Sequence, residues 1–335
     1  MTDQMTPIER KNALKSGKSV DRLPIALFHP EFAAKYAGLS YFESHYSPEK
    51  LAHREVNMYR SFGLDEIALM YVKLPKTSSN LIQKLEEIHK LDLDDYTLDK
   101  DHRQQVNREA LDRIYSEVGQ EAVISYGLSG PLTLAQGILP TKTLMKGLIK
   151  TPDLVHDFLQ FCTDFLKYLT DSLSDYPFLQ YFIYDPVASG SLISAKTYEK
   201  FCLPYTKQLI DHMRDQTDTI NLHICGNTSD RLDLFVQTGI DGFSLDQEVD
   251  LAFAKETIGD SVTLQGNVDP VATLLLGEPE GVEREVKICF EKAQDSPKGF
   301  VLRSGCGVPY RVPSENIEAF VKAGKKYGAR AAEAL

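Results

Sequence analysis

Two short segments, far apart in the chain, carry residue types that bind zinc. Residues 222–227 contain His223 and Cys225, and residues 304–309 contain Cys306. Each segment follows an apolar, strand-like run. Because residues i and i+2 of a strand point to the same face, His223 and Cys225 project together. One imidazole and two thiols supply three of the four ligands of a tetrahedral zinc ion, and the open fourth position indicates catalysis rather than a structural role.

The ligand types indicate which chemistry such an ion would serve. A neutral imidazole and two thiolates leave zinc nearly uncharged, so it is a mild Lewis acid that still holds a substrate thiol as a thiolate. Zinc hydrolases more often use histidine and carboxylate ligands. The set therefore favours thiol activation. A simpler interpretation, a hydrogen-bonded core histidine beside a small apolar thiol, fits His223 and Cys225 alone, and Cys306 argues against it.

Eight short apolar runs, each ended by turn residues and followed by a helical segment, predict the scaffold. They are Leu23–Phe28, Glu66–Val72, Ala122–Tyr126, Gln180–Tyr184, Ile220–Ile224, Gly242–Leu245, Val262–Gln265 and Gly299–Leu302. Eight strand-then-helix units are what a (β/α)8 TIM barrel requires, and its active site lies at the carboxyl ends of the strands. The three candidate ligands fall at these ends, as do Asp185, Asp246, Asn267 and Asp269.

Helix signals agree with this order of elements. The segment Thr6–Glu9 predicts a capping box on an N-terminal helical extension. Ser47-Pro48 and Gly63 bracket a further helix, with proline at its first position and glycine just past its end. The charged residues 73–119 predict a helical insertion after the second strand. Because no internal repeat or low-complexity tract divides the chain, residues 1–335 are predicted to form a single domain.

Composition excludes several classes of function. The formal net charge of −11 disfavours nucleic acids and anionic membranes as partners. The N-terminus shows no signal-peptide pattern, and no apolar run approaches the roughly 18 residues of a membrane span. The five cysteines have no clustered spacing, which argues against a disulfide framework. We therefore expect a cytoplasmic protein in which the important cysteines bind metal or act as nucleophiles.

Four motifs resemble those of a known family. They are His223-Ile224-Cys225-Gly226-Asn227, Gly266-Asn267-Val268-Asp269-Pro270, Asp185-Pro186-Val187-Ala188-Ser189-Gly190 and Gly305-Cys306-Gly307-Val308-Pro309. Together they resemble the zinc methyltransferases of the uroporphyrinogen decarboxylase superfamily, which move a methyl group from a methylated corrinoid to coenzyme M. The resemblance covers nearly the whole chain. It implies a TIM barrel, a methyltransferase activity, and zinc held by the three candidate ligands.

Further polar residues at the strand ends are the predicted catalytic residues. Asp185 is expected to orient a ligand histidine or to contact the substrate, with a cap of the following turn as the alternative. Either Asp246 or Glu248 is expected to close the fourth zinc position when substrate is absent, with a solvated loop as the alternative. The resemblance implies that Asn267 helps to orient the substrate. The residues predicted to contact the corrinoid cofactor are Gly226, Asn227 and Asp269.

The chain contains no Asp-x-His-x-x-Gly motif for binding a corrinoid. The resemblance therefore implies that a separate corrinoid protein delivers the methylated cofactor. An acceptor such as coenzyme M carries a sulfonate, which needs a basic neighbour, and the candidates are Arg22, Arg303 and Arg311. The identity of the thiol and the direction of transfer stay open.

Two other functions remain as alternatives. A tetrapyrrole decarboxylase of the same superfamily carries an arginine-bearing segment after its first strand, whereas residues 29–38 contain no arginine. An acidic chain without that clamp is poorly built for a polyanionic substrate. The third possibility is a non-catalytic protein that binds zinc or a corrinoid. Zinc content distinguishes the methyltransferase from the decarboxylase. Methyl transfer to a thiol distinguishes the methyltransferase from the non-catalytic protein.

Overall fold

The computed structural model describes residues 3–71, 82–95, 97–98, 101–177 and 179–334. Seven strands in this part of the chain form one sheet, in the order β1 to β7. They are β1 (Glu66–Tyr71), β2 (Val123–Ser129), β3 (Gln180–Tyr184), β4 (Ile220–His223), β5 (Gly242–Ser244), β6 (Thr263–Val268) and β7 (Phe300–Ser304). The pairs β3–β4, β5–β6 and β6–β7 are parallel. Helices follow the strands in sequence, so the fold is an α/β fold of the TIM-barrel type.

Fourteen α-helices occur among the described residues. They are α1 (Pro7–Lys15), α2 (Pro30–Tyr36), α3 (Tyr41–Ser44), α4 (Pro48–Phe62), α5 (His102–Val118), α6 (Pro131–Ile138), α7 (Thr141–Lys150), α8 (Pro152–Asp171), α9 (Ala195–Phe201), α10 (Leu203–Met213), α11 (Leu232–Gln237), α12 (Leu251–Ile258), α13 (Pro279–Ala293) and α14 (Ser314–Ala334). The predicted capping box of α1 is confirmed, since Thr6 and Glu9 exchange side-chain to backbone hydrogen bonds. Gly63 ends α4 as predicted, with a φ of 66°. No described helix combines the length and the apolar character that crossing a membrane requires.

The predicted insertion, residues 73–119, is described in part. Residues 73–81, 96, 99 and 100 lie outside the described residues. The remainder contains two short 3₁₀ helices, Leu85–Lys90 and Leu93–Asp95, and most of the segment's helical content is α5. The insertion as a whole stays a prediction.

Contacts group the chain into two compact units. The first consists of Met1–Leu69, Val106–Ser125 and Asp241–Leu335, and the second of Met70–Gln105 and Tyr126–Ile240. The first unit carries β5, β6 and β7 with the loop of Cys306, whereas the second carries β3 and β4 with His223 and Cys225. The single domain expected from the sequence stays a prediction.

The prediction of a first strand at Leu23–Phe28 is wrong. Its one bridge among the described residues joins Ile25 to Leu302 of β7. The amide of Ile25 donates instead to the Asp65 carboxylate at 2.7 Å, and Pro24 has no N–H to donate. An irregular segment therefore takes the place beside β7 that a barrel strand would occupy, and the described residues form seven strands of the sheet instead of the eight predicted.

A buried ion cluster, which the sequence did not reveal, holds this segment. Asp65 forms ion pairs with Arg10 of α1 and with Arg22, whose Nη1 lies 2.6 Å from Asp65 Oδ2. All three side chains are buried, so each charge depends on its partners. Removing one partner of such a cluster typically costs about 3–5 kcal/mol, because it leaves a buried charge unpaired. The cluster thus fastens α1 to the start of the barrel in the first unit.

Two strands extend three residues further than predicted. β2 ends at Ser129 rather than Tyr126, and β6 ends at Val268 rather than Gln265. The turn predicted at Gly266 and Asn267 is part of the ladder, because these residues pair with Leu302 and Arg303 of β7. Pairing with the neighbouring strand overrides the weak strand preference of glycine and asparagine. The remaining strand ends agree with the predictions to within one or two residues.

Candidate metal centre

β4 presents the first two candidate ligands at its carboxyl end. All four of its residues are buried, and its pairing with β3 sets His223 opposite Tyr184. The amide of Asp185 donates to the carbonyl of His223 at 3.0 Å, which extends the pairing by one residue. This ladder fixes the direction of the His223 side chain. Cys225 follows, and its Sγ lies 3.3 Å from His223 Nε2.

The ring of Tyr184 stands beside the His223 imidazole. The two ring centroids are 6.0 Å apart, and the planes meet at 64°. Gly127 makes room for the tyrosine, since a methyl group added there would lie 2.7 Å from its ring. Tyr184 thus flanks the candidate ligand, and the sequence analysis missed it. The available signal was its position at the end of a strand, directly before Asp185.

Cys306 lies in the loop after β7, and neighbouring segments of the first unit hold that loop. The amide of Gly305 donates to the Val268 carbonyl at 2.8 Å, and the amide of Val308 donates to the Phe28 carbonyl at 2.7 Å. Gly305 packs directly on Gln247, because an added methyl group would lie 2.6 Å from the Gln247 backbone nitrogen. Glycine is therefore required before Cys306 for close approach, rather than for an unusual backbone angle.

The three candidate ligands form one group among the described residues. Their ligand atoms all lie within 4.8 Å of one another. Zinc bonds of about 2.3 Å to sulfur and 2.0 Å to nitrogen place tetrahedral ligands about 3.5–3.8 Å apart, so the donor set fits one ion. None of the five cysteines forms a disulfide. His223 is buried, and both cysteines are partly exposed.

Asp185 is buried and caps a helix. Its Oδ1 accepts hydrogen bonds from the Thr133 backbone N–H at 2.9 Å and from the Thr133 hydroxyl at 2.5 Å. Thr133 belongs to the first turn of α6, so the carboxylate caps α6 rather than the turn that follows it. Oδ2 is buried and has no partner among the described residues. Burial raises the pKa of Asp185 to about 6, although the hydrogen bonds from Thr133 lower it.

Asn267 and Asp246 belong to one hydrogen-bonded loop in the first unit. The Asn267 amide donates to the carbonyl of Asp246 at 3.0 Å and to the carbonyl of Val249 at 2.8 Å. The buried carboxylate of Asp246 accepts from the Glu248 backbone N–H at 3.0 Å. Asn267 therefore fixes both ends of residues 246–249, the loop that packs on Gly305.

The residues predicted to contact the corrinoid stabilise turns. Asp269 Oδ1 accepts from the amides of Val271 and Ala272 at 2.7 and 2.8 Å. Asn227 is exposed, and its Oδ1 accepts from the Ser229 amide at 3.0 Å. Gly226 has a φ of 76°, which suits the turn after β4. These contacts account for the local structure, and the cofactor contacts stay a prediction.

Two of the three arginines considered for a sulfonate are neutralised by carboxylates. Arg22 pairs with Asp3 and Asp65. Arg303 is buried, pairs with Glu66, and donates to Gln265 at 3.0 Å. Arg311 is exposed in the loop that follows Cys306. The guanidinium groups of Arg22 and Arg303 are therefore already occupied and do not favour binding of a sulfonate.

Comparisons with known proteins agree with this fold over nearly the whole chain. The sequence profile of the uroporphyrinogen decarboxylase (URO-D) family matches residues 6–327. Methylcobamide:CoM methyltransferase MtbA of Methanosarcina acetivorans is 29% identical, over 97% of this chain and 99% of MtbA. A uroporphyrinogen decarboxylase of Synechococcus sp. is 31% identical, over 65% of this chain and 62% of that enzyme. A solved structure of a methyltransferase from Methanosarcina mazei matches with a TM-score of 0.83 at 25% identity, covering 97% of this chain and 99% of the other.

Proposed function

Because the chain belongs to the uroporphyrinogen decarboxylase family, we propose that it is a zinc-dependent methyltransferase. It moves a methyl group between a methylated corrinoid, carried by a partner protein, and a thiol such as coenzyme M. The observation that carries the proposal is the group of one imidazole nitrogen and two thiol sulfurs within 4.8 Å of one another. The similarity to MtbA over 97% of the chain supports the same class of reaction.

His223, Cys225 and Cys306 would hold zinc and leave its fourth position for the substrate sulfur. Zinc bound there would supply one chemistry, holding a thiol in its deprotonated, nucleophilic form at a pH below its usual pKa of about 8.5. Two thiolate ligands and a neutral imidazole would keep the charge of the site near zero, which suits an electron-rich sulfur. The ladder between β3 and β4 orients His223 before any ligand arrives. Such preorganisation lowers the cost of bringing the reactants together.

In the proposed reaction, the methyl group moves from cobalt to the substrate sulfur. The substrate sulfur forms a bond to the methyl carbon while the cobalt–carbon bond breaks. Cobalt keeps the electron pair and goes from cobalt(III) to cobalt(I), and the thiol proton passes to solvent. This chain positions the sulfur, and the corrinoid protein presents the methyl group in line with it.

The other predicted residues take supporting roles in this proposal. Asp185 orients the substrate through Oδ2, the carboxylate oxygen that α6 does not use. Asp246 closes the fourth metal position when no thiol is bound. Asn267 acts as a positioning residue, because its amide fixes the loop that carries Asp246. The turns of Gly226, Asn227 and Asp269 face the corrinoid.

A tetrapyrrole decarboxylase is the second candidate, because a decarboxylase of Synechococcus sp. is 31% identical over 65% of this chain. The chain lacks the arginine that would bind a polyanionic substrate in the segment after Leu23–Phe28. Residues 29–38, which include α2, contain no arginine. Two thiols and an imidazole at one place also have no part in a decarboxylation without metal.

The test uses zinc-loaded protein under anaerobic conditions, with methylcobalamin as the donor and 2-mercaptoethanesulfonate as the acceptor. We expect loss of the methylcobalamin absorbance together with formation of the methyl thioether, detected by mass spectrometry. A chelator should stop the reaction, and added zinc should restore it. Release of CO2 from uroporphyrinogen would support the decarboxylase instead. Tight corrinoid binding without transfer to any thiol would support a carrier.

A further inference from the structure

One face of α7 is positively charged in a chain that is acidic as a whole. Lys142, Lys146 and Lys150 follow one another at helical spacing, so they form a stripe along the helix, and Ile149 lies beside it. All four side chains are exposed, and Ile149 is 84% exposed. These four residues are the lysine face. We propose that the lysine face is a docking surface for the corrinoid protein, which contacts it through acidic side chains. The inference rests on the proposed function and deepens it.

The lysine face has no counter-charge on its own helix. Residues 122–152 contain no aspartate or glutamate, although the chain contains 48 of them. Within the described part of the chain, none of its three lysines forms an ion pair, whereas Lys167 of α8 and Lys207 of α10 do so at 3.2 and 3.1 Å. A stripe of unpaired positive charges attracts an acidic surface and speeds its association.

The opposite face of α7 is buried and fixes the orientation of the helix. Leu144, Gly147 and Leu148 are the buried residues. Gly147 packs closely on the first turn of α8, because an added methyl group would lie 2.9 Å from Val155, and it would also collide with Leu85. The lysine face is therefore held toward solvent by packing on the other side of the helix.

The chain topology places α7 at the end of the second unit that carries His223. The Asp185 carboxylate, directly after β3, accepts hydrogen bonds from Thr133 in the first turn of α6, so α6 begins at the carboxyl end of β3. Helix α8 leads back to the amino end of β3, so its first turn, where α7 packs, lies at the carboxyl end as well. His223 ends β4, the parallel neighbour of β3, at this same end.

The proposed reaction requires a protein partner at this end. The chain contains no Asp-x-His-x-x-Gly motif, so the methyl group arrives on a separate corrinoid protein. Its methyl carbon must reach a sulfur held beside the candidate ligands, and the partner must therefore contact the carboxyl ends of β3 and β4. Charges around such an interface mainly set the rate of association and the choice of partner, and an exposed isoleucine adds apolar contact. The lysine face offers both.

The test measures the Kd between zinc-loaded protein and the corrinoid protein of the same organism, by titration calorimetry. The corrinoid is kept in its unmethylated cobalt(II) form, so no turnover occurs. The triple variant Lys142→Glu, Lys146→Glu, Lys150→Glu should raise the Kd at least about tenfold at low salt, and the difference should shrink to about twofold at high salt, because salt screens exposed charges. Ile149→Ser, which keeps the charges, should raise the Kd about fivefold at both salt concentrations.

The matched control exchanges Lys18, Lys298 and Lys322 for glutamate, which changes the net charge by the same amount. All three are exposed, and Lys298 lies at the amino end of β7. This variant should bind the corrinoid protein as the wild type does. Methyl transfer from free methylcobalamin to a thiol needs no docking, so its rate should stay within about twofold of wild type in every variant.

An unchanged Kd in the triple variant of α7, or an equal loss in the control, would overturn the inference. Binding to phosphatidylserine vesicles that depends on the lysine face, with an unchanged Kd for the corrinoid protein, would also overturn it and assign the face to a membrane. Failure of the wild type to transfer methyl from free methylcobalamin to any thiol would instead contradict the proposed function, which the Kd measurement does not test.

Discussion

The two ligand-bearing turns are built in different ways. Residues 223–227, the His-Cys turn, continue a strand whose four residues are all buried and whose register is set by β3. Residues 305–309, the Cys306 turn, depend on contacts with Val268, Phe28 and Gln247, which come from three other segments. The first turn places its side chains by strand alternation, whereas the second places its cysteine by tertiary packing. Substitutions in those three segments, which are distant from Cys306 in the sequence, should therefore weaken metal binding.

The largest expected effect is the loss of one ligand. Structural zinc sites contribute about 10–16 kcal/mol through four ligands, or about 2.5–4 kcal/mol each. Cys306→Ser should therefore weaken zinc binding by about 100- to 1,000-fold and abolish methyl transfer. Competition with a chromophoric chelator measures the affinity.

Cys289→Ser is the control for this prediction, since Cys289 is buried in α13 and belongs to no ligand group among the described residues. Its zinc affinity should match that of the wild type even if its stability falls. Unchanged zinc affinity in Cys306→Ser would remove the Cys306 turn from the site and leave the His-Cys turn alone.

The next effect concerns Asp185, which supports the His-Cys turn and caps α6. Its pKa is raised to about 6 by burial, from a usual value near 4. The folded state therefore favours the protonated carboxyl, and the free energy of unfolding decreases as pH rises from about 4 to about 6, by about 3 kcal/mol. Asp185→Asn should lack this decrease. Urea unfolding of both metal-free proteins between pH 4 and pH 8 measures the difference, and parallel pH profiles would refute the assignment.

A smaller effect is expected from Gly305→Ala, in the Cys306 turn. The added methyl group would lie 2.6 Å from the Gln247 backbone nitrogen, so the turn must move. Overpacking of this kind costs about 1–3 kcal/mol, and we expect zinc affinity to fall by about tenfold or more. Gly137→Ala, where the new methyl group meets nothing within 4 Å, should not change zinc affinity. Equal zinc affinities in the two variants would show that the Cys306 turn tolerates displacement.

The smallest effect is expected from Asn267→Ala, which removes two hydrogen bonds to the loop of residues 246–249. Each such bond contributes about 0.5–1.5 kcal/mol. A positioning role predicts a higher KM for the thiol with nearly unchanged zinc affinity, because none of the three proposed ligands belongs to this loop. Steady-state kinetics with varied thiol concentration separates KM from kcat. A fall in kcat alone would indicate that Asn267 touches the reacting atoms.

The same contrast shows how far the sequence could predict the molecule. Strand alternation predicted that His223 and Cys225 project together, and seven of the eight predicted runs are strands. The prediction of a strand at Leu23–Phe28 was wrong because of a contact distant in sequence. The Ile25 amide donates its hydrogen bond to the Asp65 carboxylate instead of to a neighbouring strand. Tyr184 was missed although it ends a strand, because its contact with His223 comes from the pairing of β3 with β4 and not from a local pattern.

The central claim is that one ion joins the two turns through one nitrogen and two sulfurs. X-ray absorption at the zinc edge measures that ligand shell directly. The account predicts two sulfur neighbours at about 2.3 Å and nitrogen or oxygen neighbours at about 2.0 Å, with one sulfur lost in Cys306→Ser. A zinc shell made only of nitrogen and oxygen, or an unchanged sulfur count in that variant, would contradict it.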